Sequence, residues 1–516
     1  MRRLGFWAIL VLVFGVLIFR LVQLSFFEGE RNRILADSQR IKTKKITAQR
    51  GIIYDRNQKP LVKNWPLYQF CSGNKPKCEI IDRQKALVLE AEGKDAELGI
   101  TIGRKYLYPS QMAHALGFLG EATEGEVSQK KYLNGDLVGR TGIEQAYDEI
   151  LRGFDGGELV EIDTEGKTIR VLGEKEPIAG KDLYLNLDVN LQETAYQALA
   201  GLKGAVVVQN PQNGEILALV SSPSFNSDDI SQKELDNPDQ PFFNRAISGE
   251  YPPGSTFKIV SSTAGLESGA ITVDTLIEDE GIIHVGSYSY SNWYFTSRGK
   301  TEGSINVVRA IARSTDTFFY RMGEMTGAQK IVDWAKVFKL GNKLGIEIPG
   351  ESGGYLPDPA NSQWFLGNTY HLAIGQGSLG LTPLQVNAMT GVIATGGKWC
   401  KPTLVKTTNN TEQSSTCQQL KISQKTLEII KEGMKEACAP GGTAGLFFNF
   451  VPQTACKTGT AEFNDPKGRT HAWFTAFAPF DNPQISVTVL AEAGGEGSVV
   501  AAPVAKKILE LYFNGN

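Results

Sequence analysis

Apolar residues are spaced in three different ways along this chain, and each spacing predicts a different kind of element. The first is an unbroken run. From Leu4 to Phe19 the segment "LGFWAILVLVFGVLIF" carries no charge, and after Arg20 the apolar character continues through "LVQLSFF" to Phe27. About 20 such residues suffice for a helix to cross a bilayer, and an arginine near its far end can reach the headgroups. Arg2 and Arg3 place the N-terminus in the cytoplasm by the positive-inside rule. No small-x-small cleavage site follows, so the segment reads as an uncleaved anchor rather than a signal peptide. Nearly everything after residue 27 is then exported. Residues 28–47 are polar and rich in charge, and are expected to form a solvated juxtamembrane stalk.

The second spacing, from about 48 to 185, consists of short apolar runs broken by glycine: "GIIYD", "GELVEIDTEG", "KTIRVLG" and "KDLYLNLD". These predict short strands and hairpins. The stretch 80–134 between them is more helical and polar. Residues 28–185 therefore read as an extended, non-catalytic module with an inserted head subdomain at about 66–134.

From 186 to 516 helical and strand periods mix. "NLQETAYQAL" predicts a helix, and "GAVVVQNPQNGEILALVS" predicts a hairpin closed by an Asn-Gly turn. "GSTFKIVSSTAGLESG" predicts a helix capped by Ser255 or Thr256 and closed by Gly269. Further helices follow at "INVVRAIARST" and "SQKTLEIIKEGMKEA". Strands return at "TACKTGTAEF", "HAWFTAFAP" and "QISVTVLAE", before a last helix at "APVAKKILELYF". Strands at both ends with helices between them predict an α/β domain whose antiparallel sheet is assembled from both termini. Residues 407–416 read as a polar loop.

Composition adds a little. Hydrophobic residues are 41% and charged residues 21%, an ordinary globular balance, and the net charge of -3 gives no reason to expect nucleic acid as a partner. The six cysteines fall in sequence-near pairs, which in an exported chain predicts disulfides Cys71–Cys78, Cys400–Cys417 and Cys438–Cys456. The metal reading is weaker. There is no C-x-x-C, and His114, His284, His371 and His471 lack ligand spacing. Between Lys258 and Ser314 there is no cysteine and a single histidine, so no zinc is expected there, and no cofactor is expected elsewhere.

The candidate chemistry begins at "YPPGSTFKIV". Ser255 and Lys258 lie three apart on the predicted helix and share a face. A desolvated lysine has a lowered pKa and can take a serine proton. Alone the pattern is weak, because Ser128 and Lys131 match it too. Two more motifs change that: Ser314-Thr315-Asp316, and Lys457-Thr458-Gly459-Thr460, which holds the only K-T-G in the chain. S-x-[DN] is also weak alone, matching Ser72–Asn74 and Ser227–Asp229.

In this order the three motifs resemble those of the serine penicillin-recognising enzymes. "AQRGIIYDRN" and "GRTGIEQAYD" resemble the N-terminal module of class B penicillin-binding proteins. "YPPGSTFK", "AIGQGSLGLTPLQVNAMTGVIATGG" and "PGGTAG" resemble their transpeptidase domain, and "DTFFY" their PBP2-like elongation branch rather than the division branch. The resemblance covers nearly the whole chain. It implies an α/β penicillin-binding transpeptidase fold, with an antiparallel sheet flanked by helices, on a strand-rich pedestal with one transmembrane helix. It also implies a peptidoglycan D,D-transpeptidase of the inner membrane, acting on the external, periplasmic side and blocked covalently by β-lactams. Ser255 would attack the penultimate D-Ala carbonyl of a stem peptide, and Lys258 would accept its proton. Ser314 would shuttle a proton to the leaving amine. Lys457, Thr458 and Thr460 would hold the substrate carboxylate, with the oxyanion held by the backbone N–H groups of Ser255 and Thr460. Gly459 would keep the strand clear for ligand. Asp316 would orient Lys258, bind substrate or stabilise a loop. The family pattern further implies an ion pair between Arg50 and Glu144 in the pedestal, and a RodA-like SEDS glycosyltransferase as partner.

Three other activities share parts of the pattern. A class A β-lactamase needs a deacylating glutamate, but "PGESGGYLPDPANSQW" contains no E-x-x-L-N. A D,D-carboxypeptidase would pass the acyl group to water. A non-catalytic scaffold could lack the serine or lysine, whereas this chain keeps all three motifs, and a β-lactam sensor would need cytoplasmic signalling machinery, for which the three residues before the anchor leave little room.

Overall fold

The computed structural model describes residues 2–70, 79–94, 98–129, 132–163, 168–360, 363–408, 411–412 and 415–515. The expected Cys71–Cys78 bridge, the Ser72–Asn74 match and Lys131 lie outside them. The chain divides into two compact units, one of residues 1–51, 64–103 and 149–181, the other of 52–63, 104–148 and 182–516.

The first unit opens with the apolar helix α1 (Arg2–Val22) and its one-turn extension Gln23–Phe27. Together they supply a stretch, Gly5–Phe27, long and apolar enough to cross a membrane. The segment expected to be a solvated stalk is instead regular structure. Helix α2 (Gly29–Arg40) leads into strand β1 (Ile41–Ile46), which pairs antiparallel with β2 (Gly156–Ile162). Hydropathy misses β1 because four of its six residues, Lys42 to Lys45, are exposed. Its stability comes from backbone pairing and from ion pairs such as Lys45 with Asp155 at 2.9 Å, an arrangement well suited to a sheet edge. The hairpin predicted from "GELVEIDTEG" and "KTIRVLG" is present, with β2 pairing β3 (Thr168–Lys175). A small separate core is built from Ile81, Ala86 and Leu89, the last two on helix α3 (Arg83–Ala91), packed on Tyr68 and Phe70.

The second unit contains a five-stranded sheet. Strands β4 (Gly204–Gln209) and β5 (Ile216–Ser222) come from near the start of its 182–516 segment, and β6 (Ala455–Glu462), β7 (Thr470–Ala478) and β8 (Ile485–Ala491) from near its end. Their order is β5-β4-β8-β7-β6, all neighbours antiparallel, so the two ends of the domain meet at the β4–β8 pair. Period-two alternation sorts the side chains. Val206, Val208, Val487, Val489 and Phe474 face one layer, formed by helices α4 (Val189–Ala198) and α10 (Ala501–Asn514). Trp473, Phe477 and Leu490 face the other, which holds α5 (Lys258–Glu267), α7 (Asp316–Thr326), α8 (Pro383–Ala394) and α9 (Gln424–Ala437). All 12 residues of α8 are buried, so it is the central helix of that layer. Between α5 and α7 runs α6 (Val307–Arg313), capped by Asn306.

The polar loop expected at 407–416 is partly strand, since Val405–Thr408 pairs with both Leu183–Leu185 and Thr411–Glu412. Its polar side chains hide a backbone that is paired. The two disulfides within the described residues join the expected partners, Cys400 with Cys417 across an antiparallel ladder, and Cys438 at the end of α9 with Cys456 on β6. Arg50 in the first unit and Glu144 in the second are both buried rather than exposed, and Glu144 accepts from Arg104 Nε at 2.8 Å.

Candidate active site

Ser255 does not cap a helix. It sits in a 3₁₀ turn, Gly254–Phe257, that runs into α5, and neither the turn nor α5 receives a side-chain cap. A hydroxyl in such a place, half-buried and not used to close the helix, is available for chemistry. The turn is held from several sides. Gly254 has φ +53° and donates its N–H to Gly375 O at 2.9 Å, a conformation that favours glycine. Trp473 Nε1 donates to Pro252 O at 2.9 Å, and Thr256 Oγ1 donates to Pro253 O at 2.8 Å. Tyr251 pairs its backbone with Leu381 and donates its hydroxyl to Glu492. The prolines, glycines and aromatics around the motif are thus the mould of the turn.

Strand β6 passes directly beside it. A Cβ on Gly459 would lie 2.9 Å from Trp473 Cβ, 3.1 Å from Thr256 Cγ2 and 3.2 Å from Pro253 O. Glycine is needed there so that the strand can dock on the serine turn, a reason that stands beside the ligand clearance expected.

Lys258, one turn on from Ser255, is wholly buried. Its Nζ donates to Asp316 Oδ1 at 2.6 Å, Ser314 O at 2.9 Å and Ser314 Oγ at 3.2 Å. Ser314 ends α6 in the left-handed region, with φ +56°, which lets α7 begin immediately at Asp316. Lys457 on β6 is also fully buried, and its Nζ lies 2.8 Å from the same Ser314 Oγ. The serine hydroxyl therefore bridges two lysine amines, with one carboxylate beside them. Burial lowers the pKa of Lys258, partly offset by Asp316. Burial, then the nearby Lys258 charge, pushes Lys457 well below the usual lysine value. Two cations and one anion cannot all stay charged at low cost in such a site.

The structure thus joins Lys258, Ser314, Asp316 and Lys457 by direct hydrogen bonds and sets the Ser255 turn against Gly459. Thr460 is exposed at the strand edge. Thr458 is buried, with its hydroxyl donating to Thr443 Oγ1 at 3.0 Å, so it ties β6 to the "PGGTAG" loop. Of the three roles expected of Asp316, its bond from Lys258 Nζ fits the first. Thr443, Gly375 and Trp473 lacked an individual signal in the sequence, because their partners lie far away along the chain. Of the weak matches, Ser128 bonds its own helix at Gly125 O and is exposed. His284, the lone histidine between the first two motifs, shares a hydrogen bond with Ser289.

Comparison with known proteins identifies the family. Residues 204–510 match the family "Penicillin binding protein transpeptidase domain", and residues 90–185 match "Penicillin-binding Protein dimerisation domain". The chain is 32% identical to the peptidoglycan D,D-transpeptidase MrdA of Acinetobacter baumannii, over 96% of this chain and 85% of that protein. It superposes on the penicillin-binding protein (PBP2) solved in complex with MreC from Helicobacter pylori with a TM-score of 0.82, at 29% identity, covering 92% of this chain and 99% of the other. A chain of a peptidoglycan synthase complex, described as coordinating polymerization and crosslinking, matches at a TM-score of 0.81 and 28% identity, over 100% of this chain and 99% of the other.

Proposed function

The chain belongs to the penicillin-binding protein transpeptidase family, and we propose that the Ser255–Lys258–Ser314–Lys457 cluster carries the family's reaction here. That reaction is peptidoglycan D,D-transpeptidation of the MrdA type, in cell-wall elongation, with β-lactams as covalent inhibitors. The observation that carries the assignment of roles is the Ser314 hydroxyl lying between two buried lysine amines at 3.2 and 2.8 Å.

Ser255 Oγ attacks the penultimate D-Ala carbonyl, and its proton passes to a neutral Lys258. The carbonyl oxygen becomes an oxyanion, held by the backbone N–H groups of Ser255 and Thr460. Collapse breaks the peptide bond. The proton reaches the leaving amine through Ser314, and D-Ala departs. The amine of a second stem peptide then attacks the acyl-enzyme, loses its proton by the same route, and forms the cross-link while Ser255 is regenerated.

The charge balance explains how Lys258 becomes a base although Asp316 favours its charged form. Before substrate binds, one anion serves two amines, and the Lys258–Asp316 pair holds the proton. The terminal carboxylate of the substrate adds a second anion beside Lys457. A proton can then move from Lys258 to Lys457 by way of Ser314, leaving Lys258 neutral as the carboxylate arrives. Thr460, exposed at the edge, donates to that carboxylate, and Thr458 holds the loop at Thr443. Strand β6 is terminal in its sheet, so its outer backbone groups can pair with an extended peptide.

The apolar helix anchors the protein in the cytoplasmic membrane, with the second unit on the periplasmic side. The two disulfides support an oxidising compartment. A RodA-like polymerase is the partner proposed, in keeping with the synthase complex to which the chain is similar. Labelling with a fluorescent penicillin tests the site. Ser255→Ala should abolish the covalent adduct and Ser128→Ala should leave it unchanged; an adduct surviving Ser255→Ala refutes the assignment. Product analysis with stem-peptide substrates separates cross-linked from trimmed peptides, and trimming alone would indicate a carboxypeptidase.

A further inference from the structure

Asp279 is a buried carboxylate that the reaction scheme leaves unused. It ends the short strand Ile277–Asp279 and is 2% exposed. Its two oxygens accept four hydrogen bonds. Oδ1 takes the Gly281 N–H at 3.1 Å and the Thr317 hydroxyl at 2.5 Å; Oδ2 takes Asn292 Nδ2 at 2.9 Å and the Glu302 N–H at 2.9 Å. A carboxylate so fully supplied with donors stays in place, and two of its donors lead directly to the second motif.

Asn292 is fully buried. Because its Nδ2 is committed to Asp279, its Oδ1 must face the other way, and there it accepts the N–H of Asp316 at 3.3 Å. That N–H is an orphan donor at the start of α7, where Thr315 supplies no side-chain cap. Asn292 thus caps α7 from 24 residues away, with Asp279 fixing the direction of its amide. Thr317, the residue after Asp316, is fully buried, and its hydroxyl ties the same first turn to Asp279. Asp316 is therefore held on both sides by one carboxylate, and its own carboxylate receives Lys258 Nζ at 2.6 Å.

We propose that Asp279, acting through Asn292 and Thr317, is a positioning residue for acylation: it sets the start of α7, hence the Asp316 carboxylate that holds Lys258 against Ser314. This rests on the reading of Lys258 as the base for Ser255. Asp279 touches no reacting atom; it acts through groups that do. The requirement is geometric, since a shift of about 1 Å at a catalytic group costs on the order of a hundredfold in rate.

The test uses the full-length protein in detergent and the rate of covalent labelling by a fluorescent penicillin across a concentration series. Three variants are compared with wild type: Asn292→Ala, Thr317→Val (same shape, no donor) and Thr317→Ser (donor kept). The limiting acylation rate constant belongs only to molecules that label, so unfolded protein lowers the amplitude and not the rate. Asn292→Ala and Thr317→Val should lower the limiting rate constant by about ten- to a hundredfold. The half-saturating concentration should stay within about twofold, and Thr317→Ser should keep a near wild-type rate. A wild-type limiting rate in Asn292→Ala and Thr317→Val overturns the proposal, as does an equal loss in Thr317→Ser or a change confined to half-saturation. Peptide mapping of the adduct keeps the two readings apart: an adduct away from Ser255 defeats the assigned nucleophile, whereas an adduct on Ser255 forming at unchanged rate defeats only the role of Asp279.

Discussion

Two of the polar networks buried in the second unit are built on opposite plans. Beneath the sheet, Thr390 pairs with Thr475 and Thr475 with Thr488, each at 2.7 Å. Asn387 joins Thr488 and Val207 O at 3.2 Å and accepts from Ser486 at 3.0 Å. Every member is neutral, and each of these side chains is wholly buried. The network pins α8 to β4, β7 and β8, and its donors and acceptors match. Around Ser314 the plan differs: two lysine amines share one hydroxyl and a single carboxylate, Asp316, pairs with Lys258, so amines outnumber carboxylates. A saturated neutral network fixes packing. An unbalanced one keeps a proton poised to move, which stabilises the fold less and serves the reaction.

The sharpest way to break this contrast is Lys258→Met. With Lys258 gone, the one proton passes to Lys457, whose charged form Asp316 favours and Lys258 no longer opposes, so the thermal midpoint should change little. Acylation by penicillin should fall by a factor on the order of 10³ or more. A large loss of stability without a loss of acylation would reverse the roles assigned to the networks.

Next in size is the Cys438–Cys456 bridge, which ties the end of α9 to β6 immediately before Lys457. A loop of this length contributes about 3 kcal/mol through closure entropy. The Cys400–Cys417 bridge closes a loop of nearly equal size, 17 residues of separation against 18. Paired alanine substitutions at either bridge should therefore cost similar stability in denaturant titrations, but only the 438–456 pair should also slow acylation. Recovery of free Cys438 and Cys456 from natively oxidised protein would contradict the pairing.

A third buried polar group tests what neutrality is worth. His114 is buried with Nε2 2.8 Å from Pro241 O, and burial lowers its pKa from 6.5 to about 4. The folded pKa lies below the unfolded one, so its contribution is complete above pH 6.5 and is lost as pH falls towards 4. Over that window the loss amounts to roughly 3 kcal/mol. His114→Gln should flatten this part of the stability–pH curve measured by chemical denaturation; an unchanged slope would show that His114 is not its source.

The smallest expected effect is on the neutral network itself. Asn387→Ala leaves buried partners unsatisfied and should cost about 2 kcal/mol, with the acylation rate constant of the folded protein unchanged.

Much of this molecule is set by residues close together in sequence. The apolar run to Phe27, the hairpins, the helix starts at Asn306 and Ser423, and the order of the three motifs all depend on neighbours within a turn or two. Period, capping and turn chemistry are local, so a sequence displays them directly. The cysteine pairs at 400–417 and 438–456 were legible for a related reason: their loops are short. The charged strand Ile41–Ile46 was not, because its pairing partner begins more than a hundred residues later and its side chains conceal a paired backbone.

The tertiary structure alone decided the rest. Asp316 became the partner of Lys258 across 58 residues, and Ser314 the bridge to Lys457 across 143. The close approach of Gly459 to the serine turn and the bond from Thr458 to Thr443 come from the fold as well. Local rules left Ser255 either a helix cap or a partner of Lys258, and the fold leaves its hydroxyl out of the capping. Sequence by itself determined which chemical groups this protein possesses and the elements that carry them. Which group faces which, how dry each becomes and how many charges share one carboxylate depend on contacts between distant segments, and those exist only once the chain has folded.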